Sequence, residues 1–187
     1  SIEGVAFDKL TEEGVVRHVV ASFAEGRGGV IVTPNVDIMS RLREQGVEHL
    51  VRDADLVVAD GMPLVWASHL AGDALPERVA GSDLVWSLSR AAARYHRSVY
   101  FLGAAEGVGA EAARRITVRH PGLRVAGINS PPLGFEKDPG ALQKVLADVV
   151  DARPDIVFVA LGFPKQERVS RLLHDRLPGS WFLGCGG

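Results

Sequence analysis

Residues 55–83 read DLVVADGMPLVWASHLAGDALPERVAGSD, and the opening residues of this stretch decide the architecture. Leu56-Val57-Val58-Ala59 is an apolar run too short for an amphipathic helix and reads as a buried strand. It delivers a carboxylate, Asp60, onto a turn at Gly61, and a helical pattern begins at once with Met62. A buried strand handing over directly to a helix is half of a parallel βαβ unit. In open α/β sheets ligands bind outside the carboxyl ends of the strands, so Asp60 stands where such a protein does its chemistry. Farther on, a loop bounded by Pro76 and Gly81 carries Arg78, a fixed positive charge shaped to grip oxyanions.

The same alternation extends in both directions. Strands are expected at Val30–Thr33, Leu56–Asp60, Ser98–Gly103, Leu123–Ile128, Asp155–Leu161 and Ser180–Gly184. Helices are expected at Thr11–Glu25, with Thr11 as N-cap, and at Val36–Gln45, Met62–Leu70, Asp83–Tyr95, Gly107–Arg119, Pro139–Ala152 and Pro164–Leu177. Near-continuously apolar strands spaced by helices predict an α/β fold, a doubly wound and mostly parallel sheet covered by helices on both faces. No repeat, low-complexity tract or linker divides it, so residues 1–187 read as a single Rossmann-like domain.

Composition narrows the function. The hydrophobic share of 47% and charged share of 24% are those of an ordinary globular protein. A net charge of −2 provides no basic field for nucleic acid. The basic residues are nevertheless 17 Arg against 4 Lys, so forked anion grips are available. The single cysteine, Cys185, excludes an internal disulfide and points to a reducing compartment. With no His beside it, it reads as a buried inert thiol. The N-terminal residues lack signal-peptide character, and the longest apolar run, Ile156–Leu161, is far too short to span a bilayer.

Polar and glycine residues collect at the predicted strand ends. The first strand runs into Thr33-Pro34-Asn35-Val36-Asp37, the second into Asp60-Gly61, and the third into the glycine loop Gly103–Gly109 that contains Gly107. The loop's free N–H groups and helix dipole would favour a phosphate, although a tight turn needs glycine equally. A dinucleotide fingerprint would have Gly-x-Gly-x-x-Gly and an acidic residue closing the next strand. Here the spacing is Gly-x-x-x-Gly-x-Gly and the next strand closes with Gly127 and Asn129, so NAD is disfavoured. The fifth strand leads into Gly162-Phe163-Pro164-Lys165-Gln166-Glu167, where Pro164 suits a helix start and Lys165 and Gln166 would stand beside orphan N–H groups. Competing structural roles exist for each: Asp60 as a helix cap, Arg78 paired with Glu77, Thr33 and Asn35 as turn and cap residues, Lys165 and Glu167 as a solvated helix surface.

Other patterns point away from chemistry. Asp53-Ala54-Asp55 matches an Asp-x-Asp metal motif but precedes its strand, and so belongs to the opposite edge of the sheet from Asp60. The six His show no metal-ligand spacing, and no metal is expected. Trp66 and Trp86 lie among Leu and Val and read as core.

Taken together, Thr33-Pro34-Asn35, Ala59-Asp60-Gly61-Met62-Pro63, Arg78-Val79-Ala80-Gly81-Ser82-Asp83-Leu84, Phe101-Leu102-Gly103, Pro132-x-Gly134-Phe135 and Leu161-Gly162-x-Pro164-Lys165-Gln166-Glu167 resemble, in order and spacing, the WecG/TagA/CpsF family of bacterial glycosyltransferases. The resemblance implies a metal-independent, inverting enzyme without cofactors. It would move a sugar, N-acetylmannosamine or a related hexose, from a UDP-sugar to a polyprenyl-diphosphate-linked acceptor in cell-surface polysaccharide or teichoic acid synthesis. It also implies a cytoplasmic protein, peripheral at the inner face of the cell membrane. On this resemblance Asp60 is the general base and Arg78 grips the diphosphate, with Thr33 and Gln166 around the donor. Asn35, Gly61, Gly103, Gly107, Gly134, Phe135, Gly162, Pro164, Lys165 and Glu167 complete the expected substrate-binding set. Family members continue past the equivalent of Gly184–Gly186 into a basic, aromatic-containing tail that meets the membrane, whereas this sequence stops at Gly187. The donor sugar, the acceptor linkage and homo-oligomer formation are left open. Two rival readings are a nucleotide-sugar-binding module without catalysis and a nucleotide-dependent oxidoreductase.

Overall fold

In the computed structural model, residues 1, 2 and 4–186 are described, with backbone alone for 43–45. In chain order the strands are β1 (Gly29–Val32), β2 (Leu56–Val57), β3 (Ser98–Gly103), β4 (Arg124–Asn129), β5 (Ile156–Ala160) and β6 (Trp181–Gly184). The α-helices are α1 (Glu12–Ala24), α2 (Val36–Gln45), α3 (His49–Arg52), α4 (Met62–Leu70), α5 (Gly81–Arg94), α6 (Val108–Arg119), α7 (Pro139–Ala152) and α8 (Lys165–His174). A short 3-10 turn covers Phe135–Lys137.

Local chemistry starts these helices. Thr11 accepts the N–H of Gly14 at 3.0 Å to cap α1, with Glu12 and Glu13 against the positive end of the dipole. Asp138 accepts the N–H groups of Gly140 and Ala141 at the start of α7, and Pro139 fills a position where no N–H is needed.

The six strands form one parallel sheet in the order β2-β1-β6-β5-β3-β4. Side chains alternate between its faces, and each strand therefore feeds two cores. Val30, Val32, Tyr100, Leu102, Val157, Val159 and Phe182 pack beneath α2, α3, α7 and α8. Ile31, Val99, Phe101, Ile156, Phe158, Trp181 and Leu183 pack beneath α1, α5 and α6. The fold is thus the doubly wound α/β sheet expected. Neighbouring strands β3 and β5 send their following helices, α6 and α8, to opposite faces, and that divergence opens a crevice at their carboxyl ends.

Departures from the sequence reading have local causes. The β2 ladder stops at Val57 rather than Asp60 because it runs alongside Pro34, which offers a carbonyl but no N–H. The chain stays in place nonetheless: Val58 N–H bonds Val32 O at 3.1 Å and Asp60 N–H bonds Pro34 O at 2.9 Å. Helix α8 ends at His174, since Leu177 precedes Pro178 and residues before proline avoid the helical region. Helix α3 and the 3-10 turn are too short to show a period.

Trp66 and Trp86 are not core residues, being 61% and 39% exposed. The inward faces of their helices are taken by Leu64, Val65 and Ser68 on α4 and by Leu84, Leu88 and Ala92 on α5. Trp86 sits two residues from Leu84, about 200° round the helix, and lies under the Arg119 guanidinium at 5.6 Å.

Candidate active site

Asp60 ends the segment from β2 and does not cap the helix that follows. The N-cap of α4 is Gly61, with no side-chain hydrogen bond. The Asp60 carboxylate, 29% exposed, faces the loop before α5 instead, where Arg78 Nη1 lies 3.5 Å from its Oδ1. The backbone N–H of Gly81 also favours its charged form. Burial raises its pKa above the ordinary aspartate value, opposed by the Arg78 charge and the Gly81 N–H and reinforced by nearby Asp83. A half-buried carboxyl with raised proton affinity is a competent general base.

Arg78 is oriented from two sides. Its Nη2 donates to Asp83 Oδ2 at 3.0 Å, and the adjacent Val79 N–H bonds Ala59 O at 2.8 Å, pinning the loop to the segment that carries Asp60. Glu77 turns away to accept the Glu12 N–H at 2.7 Å, so Arg78 answers to Asp60 and Asp83 rather than to its sequence neighbour. Thr33, nearly buried, completes the corner. A Cβ placed on Gly81 would lie 3.0 Å from Thr33 Oγ1 and 3.2 Å from Gly184 O, so the lack of a side chain lets these three segments pack this closely. Asn35 acts as a cap: its Oδ1 accepts the Ile38 N–H at 2.9 Å at the start of α2.

The glycine loop follows β3. Gly103 has φ +100°, and a Cβ there would stand 2.4 Å from Ala160 O. Gly107, also left-handed at φ 81°, is the N-cap of α6. Beside this loop lies a cleft of ≈ 690 Å³ bounded by Ala104–Glu106, Ser130–Leu133, Phe135, Ala160–Gly162 and Lys165. Its size is that of small-molecule and nucleotide sites. Lys165 Nζ stands 3.3 Å from Glu136 Oε2 and 5.8 Å from the centre of the Phe135 ring. Gly134 supplies the left-handed start of the 3-10 turn, and Pro164 is the N-cap residue of α8. A second, apolar cavity of ≈ 230 Å³ lies across the sheet beneath Gly103, between α5 and α6.

Gln166 and Glu167 occupy a third position, between the Asp60 corner and the cleft. Both are 3% exposed. Gln166 Nε2 donates to Glu167 Oε1 at 3.0 Å, and Gln166 Oε1 accepts the Gly186 N–H at 3.0 Å. Burial pushes the Glu167 carboxyl up to about 7, against the pull of Gln166, its own N–H and Arg41.

The expected residues therefore form a corner (Thr33, Asp60, Arg78), a cleft (Phe135, Gly162, Lys165, with Gly103, Gly107 and Gly134 shaping its turns) and a buried pair (Gln166, Glu167). Sequence reading named Gly81 only as the end of the Arg78 loop, not for its N–H beside Asp60, and it missed Glu136, which partners Lys165. Glu136 directly follows Phe135, yet neither spacing nor residue type marked it. Asp55 accepts the Val30 N–H at 2.8 Å at the amino edge of the sheet, away from the crevice as expected. Burial pushes the Cys185 thiol up to about 12, leaving it an inert thiol. Among the described residues no cluster of three His, Cys, Asp or Glu side chains has metal-binding geometry, and no helix is long and apolar enough to cross a membrane.

Comparison with known proteins places the chain in a family. The chain is 35% identical over 175 residues to an N-acetylglucosaminyldiphosphoundecaprenol N-acetyl-beta-D-mannosaminyltransferase of Bacillus spizizenii, covering 92% of this chain and 65% of that protein. Proteins of the same name from Bacillus subtilis and Staphylococcus aureus are 28% and 30% identical, with 86% and 100% of this chain matched to 60% and 72% of theirs. The chain thus spans roughly two thirds of the length of these relatives. The description "Glycosyl transferase WecG/TagA/CpsF family" matches residues 1–187 from end to end. The chain belongs to the WecG/TagA/CpsF family of glycosyl transferases.

Proposed function

We propose that this protein transfers a sugar, N-acetylmannosamine or a close relative, from a UDP-sugar to a hydroxyl of a polyprenyl-diphosphate-linked sugar, with inversion at the anomeric carbon. The observation that carries the reading is Asp60, a half-buried carboxylate with raised proton affinity that caps no helix and is held between Arg78 and the Gly81 N–H. The names of the relatives supply the acceptor class and the sugar.

The chemistry follows from the positions. The acceptor oxygen attacks the anomeric carbon and forms the new C–O bond. The bond from that carbon to the UDP oxygen breaks, and its electron pair leaves with UDP. The acceptor's proton passes to Asp60 as attack develops. Arg78 takes up charge on the departing diphosphate, with the helix N-termini at Gly107 and Pro164 as further electropositive ends facing the crevice. Arginine and aligned N–H dipoles do the work that a divalent cation does in other transferases, so a chelator is expected to leave turnover unchanged. The nucleotide end of the donor is assigned to the ≈ 690 Å³ cleft beside Lys165.

The test is calorimetry with UDP together with a transfer assay. UDP-N-acetylmannosamine and a short-chain polyprenyl-diphospho-N-acetylglucosamine are used with the full reading frame containing these residues. Saturable UDP binding and transfer that survives a chelator are expected. UDP binding without transfer would identify a nucleotide-sugar-binding module instead, and tight NAD(P) binding would revive an oxidoreductase.

A further inference from the structure

Glu167 is a buried acid that the reaction above does not use. Its Oε1 accepts from Gln166 Nε2, while its Oε2 is buried without a hydrogen-bond partner. An uncompensated carboxyl oxygen inside a protein is costly, so something must depend on its placement. What depends on it is the orientation of one amide. Glu167 Oε1 takes the hydrogen bond from Gln166 Nε2, and with the nitrogen held there the Gln166 oxygen is turned toward the Gly186 N–H, which it accepts.

The backbone leaving β6 is fitted to this pair. A Cβ on Gly184 would lie 2.9 Å from Gln166 Nε2 and 3.2 Å from Glu167 Oε1. One on Gly186 would lie 2.7 Å from Gly162 N and 2.9 Å from Gln166 Oε1. On its other side the same segment meets the Asp60 corner, for Gly184 O is 3.2 Å and the Cys185 Cα 3.5 Å from where a Gly81 Cβ would be. The Gly81 N–H in turn favours the charged form of Asp60. A continuous line of contacts thus runs from Glu167 through Gln166 and Gly184–Gly186 to Gly81 and the proposed base.

We propose that Glu167 is a positioning residue: its carboxyl sets the Gln166 amide, and that amide holds the backbone beyond β6 in the crevice, against the corner that carries Asp60. The consequence for catalysis rests on the glycosyltransferase reading above; the positioning itself does not.

The experiment compares Glu167→Leu and Glu167→Gln with the parent protein, each first checked for a cooperative thermal transition. Backbone amide exchange is followed at Gly186 and the steady-state constants for transfer are measured. Leucine removes the acceptor, so protection at Gly186 falls about tenfold. Loss of alignment lowers kcat by about a hundredfold with the donor KM little changed. Glutamine retains a side-chain oxygen for Gln166 and restores both. Gly186→Ala displaces the segment from the other side and reproduces the loss of kcat with Glu167 intact, which covers the case of a leucine variant that fails to fold. Full protection at Gly186 in Glu167→Leu, or a glutamine variant that folds yet behaves like leucine, overturns the proposal. The exchange readout needs no substrate, so a parent protein without transfer activity counts against the functional reading alone.

Discussion

The Asp60–Arg78 pair is where a single charge tunes the proposed chemistry. The Asp60 carboxyl is raised by burial and held down by Arg78, and deleting the guanidinium removes the lowering influence. Arg78→Gln should therefore move the acid limb of the kcat/KM profile to higher pH, as well as weakening UDP binding. A limb that stays in place, or moves down, would separate Arg78 from the base. Both residues were legible in the sequence because a carboxylate after an apolar strand and an arginine in a Pro- and Gly-bounded loop are patterns with physical meaning. Their partnership was not legible, since it depends on the Val79–Ala59 hydrogen bond and on the missing side chain at Gly81. For the same reason the sequence left Asp60 equally suited to capping α4, a role the structure gives to Gly61.

Two turns at the level of elements carry the crevice. Gly103 closes β3 with φ +100° and packs its Cα against Ala160 O of β5, so Gly103→Ala meets both backbone strain and a clash at 2.4 Å. A loss of about 3 kcal/mol is expected, a fall in melting temperature of about 6–12 °C for a chain of this size. A melting temperature within a degree or two of the parent would show that the β3–β5 approach is not as tight as described. Helix α8 carries the other effect. Its buried Glu167 holds its proton to about pH 7 in the folded protein, against an ordinary value of 4.5. Folding is thus favoured below about pH 4.5, and this contribution is lost as pH rises through 7, on the order of 3 kcal/mol. The group is flanked by Arg41 of α2, itself paired with Asp37, and no other ion pair bears on it among the described residues. Urea titrations from pH 4.5 to 7.5 should show Glu167→Gln gaining stability relative to the parent across that window. A constant difference would contradict the assignment. Helices α2, α4 and α7 were readable end to end, with Asn35, Pro63 and Asp138–Pro139 marking their starts. The exposure of Trp66 and Trp86 was not, because an apolar helix pattern does not say which stripe the sheet covers.

Across the whole molecule, parallel topology explains why distant sequence motifs meet. All six strands point the same way, so every strand-to-helix turn lies on one edge. Thr33, Asp60, Gly103, Gly162 and Gly184 converge there from across the chain. That convergence could be read from the alternation of apolar runs and helical patterns. The order of strands could not, and it divides the expected residues into a corner at β1 and β2, a cleft at β3 and β5, and a buried pair beneath the end of β6. The account rests above all on Asp60 as the base for sugar transfer, and Asp60→Asn tests it most directly. The amide keeps the volume and an oxygen for the Gly81 N–H but cannot take a proton. Turnover at saturating UDP-sugar and lipid-linked acceptor is predicted to fall by about 10²–10⁴-fold while UDP still binds. Turnover equal to that of the parent protein would contradict it.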